Sequence, residues 1–148
     1  MAQVTVQLGL DSFGDISVDA QGNANSAAQE IRNHVEHAVI ADRAGVDAIS
    51  FGEHHRGDFA ISAPDMVLAA AASRTERITL GTAVTVLSSD DPIRVFERFS
   101  TLNAISNGRA EITVGRGSFT ESFPLFGYDL ADYELLFEEK FDLSLIHI

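Results

Sequence analysis

The chain has 148 residues, 45% of them hydrophobic and 22% charged, which is typical of one globular domain and excludes a disordered chain. Its 22 acidic residues outnumber the 10 basic ones and give a net charge of −12, which disfavours binding to nucleic acid or anionic membranes. The absence of cysteine excludes disulfides, thiolate nucleophiles and cysteine-ligated metals. The amino terminus does not have the pattern of a signal peptide, so we expect a soluble, cytoplasmic protein.

The first strand and helix are predicted from the amino-terminal third of the chain. Apolar and polar residues alternate in "VTVQLGL" (4–10), which predicts a strand. A loop rich in Gly, Asp and Asn follows at 11–25. Ser26 with Gln29 has the pattern of a capping box, and Gly45 is placed to end the helix that starts there.

Three further strand–helix pairs follow in the same alternation. The strands are "VDAISF" (46–51), "ITLGTAVTVL" (78–87) and "AEITVG" (110–115). The helices begin at Pro64, at Asp91-Pro92 and at "DYELLFEEKFDL" (132–143). The apolar side of the helix after Asp91-Pro92 is predicted to contain Ile93, Phe96, Phe99 (or Val95), Leu102 and Ile105.

The predicted order βαβαβαβα indicates parallel strands joined by right-handed crossovers. The strands begin near Val4, Val46, Ile78 and Ala110. Two α/β architectures fit this order: an open doubly wound sheet and part of a (β/α)₈ barrel. In both, functional residues lie at the carboxyl ends of the strands.

The stretch "FGEHHRGDF" (51–59) begins at the end of the second strand and has five ionisable side chains within six positions. Either His54 or His55 could be a general base or hydrogen-bond donor, oriented by Glu53, because imidazole titrates near neutral pH. We expect no metal site here, since adjacent side chains of an extended segment point in opposite directions. The histidines of the first helix, His34 and His37, are expected at the surface.

Two other strand ends could contact a ligand. Gly115, Arg116 and Gly117 follow the fourth strand, which is compatible with either a phosphate contact or a tight turn. The small residues from Gly81 to Ala83 would let a flat ligand approach the backbone, although ordinary core packing is the favoured explanation of these residues taken alone.

Three stretches together resemble the bacterial luciferase-like family of flavin-dependent monooxygenases. They are "GVDAISFGEHH", "ITLGTAVTVLSSDDPIRVFERFSTLNAISNGR" and "EITVGRGSFTESFPLFGYD". The resemblance implies a (β/α)₈ barrel of more than twice this length, with reduced FMN, or in one branch the deazaflavin coenzyme F420, bound at the carboxyl ends of the strands.

The resemblance also implies roles for individual residues. His54 matches the catalytic histidine, and Glu53 precedes it at the flavin site. Ala83 and Val84 match a segment that backs the isoalloxazine, where the family often has a non-prolyl cis peptide. Arg116 matches a contact to the flavin phosphate. No metal ligand is implied.

The implied activity is oxidation of an aldehyde or another small organic substrate by O₂ and reduced FMN. A flavin reductase is the implied partner that supplies reduced FMN, and the full-length protein is expected to be a homo- or heterodimer without nucleic acid or membrane partners. The alternatives are a deazaflavin-dependent reductase that transfers hydride, and a non-catalytic flavin-binding homologue.

Residues 1–148 are expected to form a single, incomplete domain: the amino-terminal half of a (β/α)₈ TIM barrel with about four parallel βα units. The inward faces near Val4, Ile49 and Val84 would then lack opposing layers. The apolar tail 144–148 departs from the family pattern, is expected to pack poorly and is a candidate for non-native sequence.

Overall fold

The computed structural model describes residues 6–147 and has the predicted α/β organisation with parallel strands. A three-stranded sheet contains β1 (Gly9–Ser12), β2 (Ala48–Phe51) and β3 (Thr79–Thr82) in that spatial order. A two-stranded sheet contains β4 (Thr85–Val86) and β5 (Val114–Gly115). The helices are α1 (Ala27–Ala44), α2 (Pro64–Ala72), α3 (Pro92–Ile105), α4 (Ser122–Leu125) and α5 (Tyr133–His147), with a 3₁₀ helix at Leu130–Asp132. Val4, the predicted start of the first strand, lies outside the described residues.

The predicted third strand, 78–87, is divided into β3 and β4 at a cis peptide bond between Ala83 and Val84. The chain after α3 runs beside both parts. Glu111 donates its backbone N–H to the Leu80 carbonyl over 2.9 Å, and β4 pairs with β5 further along. The predicted fourth strand is therefore reduced to β5 and an isolated bridge at Ala110.

The ends of α1 form as the sequence predicts, with one difference. The Ser26 hydroxyl accepts the Gln29 backbone N–H over 3.2 Å, and Gly45 ends the helix in the left-handed conformation with φ 82°. The Gln29 side-chain oxygen accepts from Arg32 over 2.8 Å and does not bind the Ser26 backbone N–H, so only the first half of the capping box forms.

The core lies between the three-stranded sheet and the helices. Ile49 and Phe51 of β2 are 3% and 0% exposed and belong to one apolar cluster with Leu68 and Ala71 of α2. The expectation that Ile49 faces an open barrel interior is therefore wrong, because successive residues of a strand alternate between faces. The other face of β2 carries Ser50, which is half-buried.

The expectation that the tail 144–148 packs poorly is wrong at Ser144. Helix α5 continues through His147, and Ser144 is 2% exposed with its hydroxyl donating to the Phe141 carbonyl over 2.7 Å. Leu145 is 62% exposed, as the expectation requires. Between residues 6 and 147, the structure contains no helix of the length and apolarity that a membrane span requires.

Candidate active site at the carboxyl ends of the strands

The loops that follow the strands meet at one end of the two sheets. Gly52 donates its backbone N–H to the Ser12 carbonyl over 2.8 Å, which joins the ends of β1 and β2. The Glu53 carboxylate accepts the Val86 backbone N–H over 3.0 Å. This bond connects the end of β2 to β4, so a single side chain joins the two sheets where the candidate residues lie.

Glu53 orients His55. The second carboxylate oxygen of Glu53 lies 3.0 Å from His55 Nε2, and the two side chains are only 9% and 11% exposed. The hydrogen bond to Glu53 raises the pKa of His55, and it outweighs the opposing effect of burial. The structure thus distinguishes two histidines that the strand-end pattern by itself left equivalent.

His54 lies in an aromatic environment. Its ring lies 4.1 Å from the ring of Phe59 and makes edge contacts with Phe119 at 5.3 Å and Phe13 at 6.1 Å, measured between centroids. Burial lowers the pKa of His54, despite the carboxylates nearby, so the neutral imidazole predominates at neutral pH. A neutral imidazole can accept a proton, which is what a general base requires.

Two glycines permit the close packing around His54. A Cβ atom on Gly52 would lie 3.2 Å from Phe13 Cα and 3.3 Å from His54 Nε2. Gly14 has φ 79°, a conformation that favours glycine, and its carbonyl accepts the Ala60 backbone N–H over 2.7 Å. The loops after β1 and β2 are therefore held together by backbone contacts beneath the aromatic rings.

Ala83 and Val84 form the accessible part of the interrupted strand. Both are half-buried, whereas Gly81 and Thr82 are buried. Of the small residues from Gly81 to Ala83, Ala83 could therefore contact a ligand, and core packing accounts for Gly81 and Thr82. A Cβ atom on Gly115 would lie 2.7 Å from Val84 Cγ2, which requires glycine at the end of β5. The cis peptide implied by the family resemblance is present at this position.

Arg116 follows β5 directly, at the same end of the sheets. Its guanidinium pairs with the Glu134 carboxylate and lies 5.6 Å from the Phe137 ring centre. The side chain of Arg116 is 45% exposed. An oxyanion already occupies one side of the guanidinium, so a phosphate would have to compete with Glu134 or share the cation with it.

A charged cavity behind Glu53 and His55 was missed by the sequence analysis. It measures about 250 Å³ and is lined in part by Asp65, Asp90 and Arg98. Arg98 pairs with Asp65 at 2.9 Å and also with Asp90. Of these three residues, only Asp90 comes shortly after a predicted strand, 78–87. The sequence therefore gave no signal that Arg98, on α3, would line this cavity.

His34 was also misjudged. It is 4% exposed, not at the surface, whereas His37 is exposed as expected. His34 Nδ1 lies 2.7 Å from the Glu30 carbonyl and must donate to it, so Nε2 accepts the Ser12 hydroxyl over 2.8 Å. The sequence signal for this burial was the helical spacing: His34 lies four residues before Ala38, which is buried, so both lie on one face of α1. Within residues 6–147, no group of three or more His, Asp or Glu side chains is arranged to hold a metal ion.

Known proteins share both the sequence pattern and the fold. Residues 12–145 match the luciferase-like monooxygenase family. The chain is 38% identical over 125 residues to limonene 1,2-monooxygenase of Rhodococcus erythropolis, covering 84% of this chain and 32% of that enzyme. It is 37% identical over 87 residues to the oxygenase component of flavin-dependent trigonelline monooxygenase from Acinetobacter baylyi, covering 58% of this chain and 24% of that protein.

Two solved structures illustrate the range of the fold. The oxygenating constituent of 3,6-diketocamphane monooxygenase from Pseudomonas putida, solved with FMN, has a TM-score of 0.82 at 23% identity over 95% of this chain and 38% of that one. The coenzyme F420 dependent tetrahydromethanopterin reductase of Methanopyrus kandleri has a TM-score of 0.60 at 23% identity, covering 86% and 31%. The chain thus spans about a third of the length of its relatives. By its match over residues 12–145, the chain belongs to the luciferase-like monooxygenase family.

Proposed function

We propose that this chain supplies the flavin site and the catalytic histidine of a monooxygenase that uses reduced FMN and O₂ to oxidise an aldehyde or another small organic substrate. The observation that carries the proposal is the environment of His54: a half-buried, neutral imidazole at the strand ends that also carry Ala83, Val84 and Arg116. The relatives named as monooxygenases support the same reaction class.

The residues present fit a flavin. Ala83 and Val84 offer a half-buried apolar wall for a flat ring, with Gly115 packed closely behind Val84. The Arg116 side chain is 45% exposed, so its guanidinium can be reached by an oxyanion such as the flavin phosphate, which would share the cation with Glu134 or displace that carboxylate. Reduced FMN, when bound, supplies the electrons for reaction with O₂.

The chain's own side chains then divide the remaining work. His54 accepts or returns a proton at the substrate, because its aromatic surroundings keep it neutral. Glu53 holds His55 and the β4 backbone in place, so it acts as a positioning residue for the loop that carries His54. Arg116 would hold the phosphate end of the cofactor.

A second candidate is a deazaflavin-dependent reductase that transfers hydride. The fold of the coenzyme F420 dependent reductase favours it, because the same arrangement of strands serves that cofactor. A non-catalytic flavin-binding homologue is the third reading. The relative named as an oxygenase component supports a separate flavin reductase as partner, and we propose a homo- or heterodimeric assembly for the whole protein.

We further propose that the four βα units are the first half of a (β/α)₈ barrel. The parallel order β1–β2–β3 and the pairing of β4 with β5 are compatible with consecutive barrel strands. Strands beyond β5 would supply the remaining wall of the cofactor site.

Anaerobic titration of the protein that carries this chain tests the choice of cofactor. Reduced FMN and reduced coenzyme F420 are added separately, and binding is followed by absorbance and fluorescence. The proposal expects tighter binding of reduced FMN, followed by O₂ consumption that depends on an organic substrate. Preference for the deazaflavin, with hydride transfer and no O₂ uptake, would support the reductase.

A further inference from the structure

The side chains around His54 form an aromatic cluster with accessible surface. The cluster consists of Phe13, Phe59 and Phe119, and Phe59 and Phe119 also contact each other at 5.8 Å between centroids. Phe13 is 55% exposed and Phe119 is 36% exposed. Backbone bonds between the loops after β1 and β2 hold Phe13 and Phe59 beside the imidazole. Aromatic edges and faces are thus available to a ligand that reaches His54.

The His54 imidazole is the polar group that all three rings of the cluster contact. Among residues 6–147, no side chain or backbone group makes a hydrogen bond with either of its ring nitrogens. A half-buried polar group without a partner is costly unless water or a ligand satisfies it. The site therefore suits a molecule with an apolar body and one oxygen that can hydrogen-bond to the imidazole.

The charges around the cluster disfavour anionic molecules. Arg56 acts electrostatically on His54, and Asp58 occupies its guanidinium with two hydrogen bonds of 2.9 and 2.8 Å. Four carboxylates also act on His54: Asp15, Glu53, Asp58 and Glu121. A carboxylate or sulfonate substrate would therefore meet a negative potential beside a cation that is already paired.

The same arrangement disfavours a cationic substrate. The Arg56 guanidinium lies 4.6 Å from the ring centre of Phe119, at the distance of a cation–π contact. A ligand ammonium group would have to displace this guanidinium to make the same contact with Phe119.

Resting on the proposed function, we infer that the substrate is a neutral, ring-containing organic molecule with a single carbonyl or hydroxyl group directed at His54. Its apolar ring packs against Phe13 and Phe119, and its oxygen bonds to the imidazole. Contact of an apolar ring with each phenyl side chain removes apolar surface from water, which favours binding. Removal of one phenyl ring should therefore weaken binding by about tenfold, which corresponds to about 1.4 kcal/mol.

Three probes of similar shape and different charge test the inference. Cyclohexanone, cyclohexanecarboxylate and cyclohexyltrimethylammonium are titrated into the protein without flavin or O₂, and the His54 ring signals are followed by NMR. Cyclohexanone should bind most tightly and shift the His54 signals. The variants Phe119→Ala and Phe13→Ala should each weaken this binding by about tenfold. Phe126→Ala is the matched control, because Phe126 is 49% exposed at the same rim but contacts His55.

Three outcomes would overturn the inference: tighter binding of the carboxylate, tighter binding of the ammonium, or equal losses in Phe119→Ala and Phe126→Ala. Failure of the proposed function has a different signature. If the protein binds cyclohexanone at His54 but neither reduced FMN nor the deazaflavin, the proposed ring site is supported and the proposed monooxygenase function is wrong. A protein that binds reduced FMN but not cyclohexanone would retain the assignment and lose the ring site.

Discussion

The two adjacent histidines have opposite environments, and this difference defines the candidate site at the scale of single residues. His55 shares a hydrogen bond with Glu53, which raises the pKa of its imidazole. His54 has aromatic neighbours, and burial lowers the pKa of its imidazole. One ring is thus suited to a fixed structural contact and the other to proton transfer.

The division of roles between His54 and Arg116 can be measured in the protein that carries this chain. His54→Ala should lower turnover by about 10²–10⁴-fold, the usual contribution of general acid–base catalysis, with little change in flavin affinity. Arg116→Ala should instead weaken flavin binding, because it removes a charge-assisted contact to phosphate. Stopped-flow oxidation and flavin titration separate the two effects.

Arg94→Ala is the matched control, since Arg94 is exposed and pairs with Glu97 on the same helix. If both His54→Ala and Arg116→Ala lowered turnover and affinity to the same extent, the assigned roles would be incorrect.

The Glu53–His55 pair should make stability depend on pH. Because the folded pKa of His55 lies above its ordinary value of 6.5, the pair stabilises the fold fully below that value. The stabilisation is lost as the pH rises through the folded pKa. Urea unfolding of the wild type and of Glu53→Gln should therefore differ more at about pH 6 than at about pH 9.

The pKa of His54 changes in the opposite direction, so its contribution to stability falls as the pH drops below 6.5. NMR titration of the two imidazoles should give a lower pKa for His54 than for His55. Coincident titration curves would contradict the environments described above.

The elements near the site depend on close backbone approach at β5. Gly115→Ala would place a Cβ atom 2.7 Å from Val84 Cγ2, so β5 or Val84 must move. We expect a loss of about 1–3 kcal/mol in the free energy of unfolding, as for other overpacked sites. Flavin affinity should fall as well, because Val84 is part of the proposed ring wall.

Gly57→Ala is the control, because nothing lies within 4 Å of a Cβ atom at Gly57 and its φ is not in the left-handed region. Urea unfolding and flavin titration of both variants give the comparison. Unchanged stability in Gly115→Ala would mean that β4 and β5 are more loosely packed than the structure indicates.

Helix α3 illustrates how far periodicity predicts the buried face of an element. The predicted apolar side included Ile93, Leu102 and Ile105, of which Leu102 is 2% exposed, Ile93 37% and Ile105 49%. Val95, the alternative member, is fully buried. The helix packs between α2 and α5. The residues that become buried are those that contact these neighbours, and they are fewer than the apolar residues that the periodicity places on one side.

At the scale of the whole molecule, apolar residues near the free edge of β1 remain exposed. Val6 is 74% exposed, Leu8 65% and Leu10 49%. Within the described residues, β1 pairs only with β2, so its other edge offers unpaired backbone groups. Such an edge with apolar side chains is a template for association with other chains.

Expressed as these 148 residues, the chain should therefore associate or aggregate and retain little flavin. Leu8→Lys should reduce the association, because it places a charge beside the edge of β1. Met66→Lys, which changes a side chain that is 70% exposed on α2, should have a smaller effect. Sedimentation velocity measures the difference. A monomer that melts cooperatively and binds reduced FMN tightly would contradict the half-barrel proposal.

Features that depend on local pattern could be predicted from the order of the residues. Alternation and capping residues predicted the parallel α/β order and both ends of α1. Because parallel strands place their carboxyl ends at one edge, reading the residues after each strand indicated Glu53, either His54 or His55, and Arg116 as candidates. The choice of His54 and the phosphate role of Arg116 came from the family resemblance. The stretches that resemble the family also indicated its membership.

Contacts between these residues, in contrast, depend on the folded arrangement of the chain. Two of these contacts, His34 with Ser12 and Arg98 with Asp65, join residues that are distant in sequence. The third is the hydrogen bond of Glu53 to His55 rather than to His54, which depends on the direction in which each side chain points. Local periodicity carries no information on such contacts, because they depend on how separate loops and helices pack against each other. The chemical distinction between His54 and His55 is therefore a property of the folded chain.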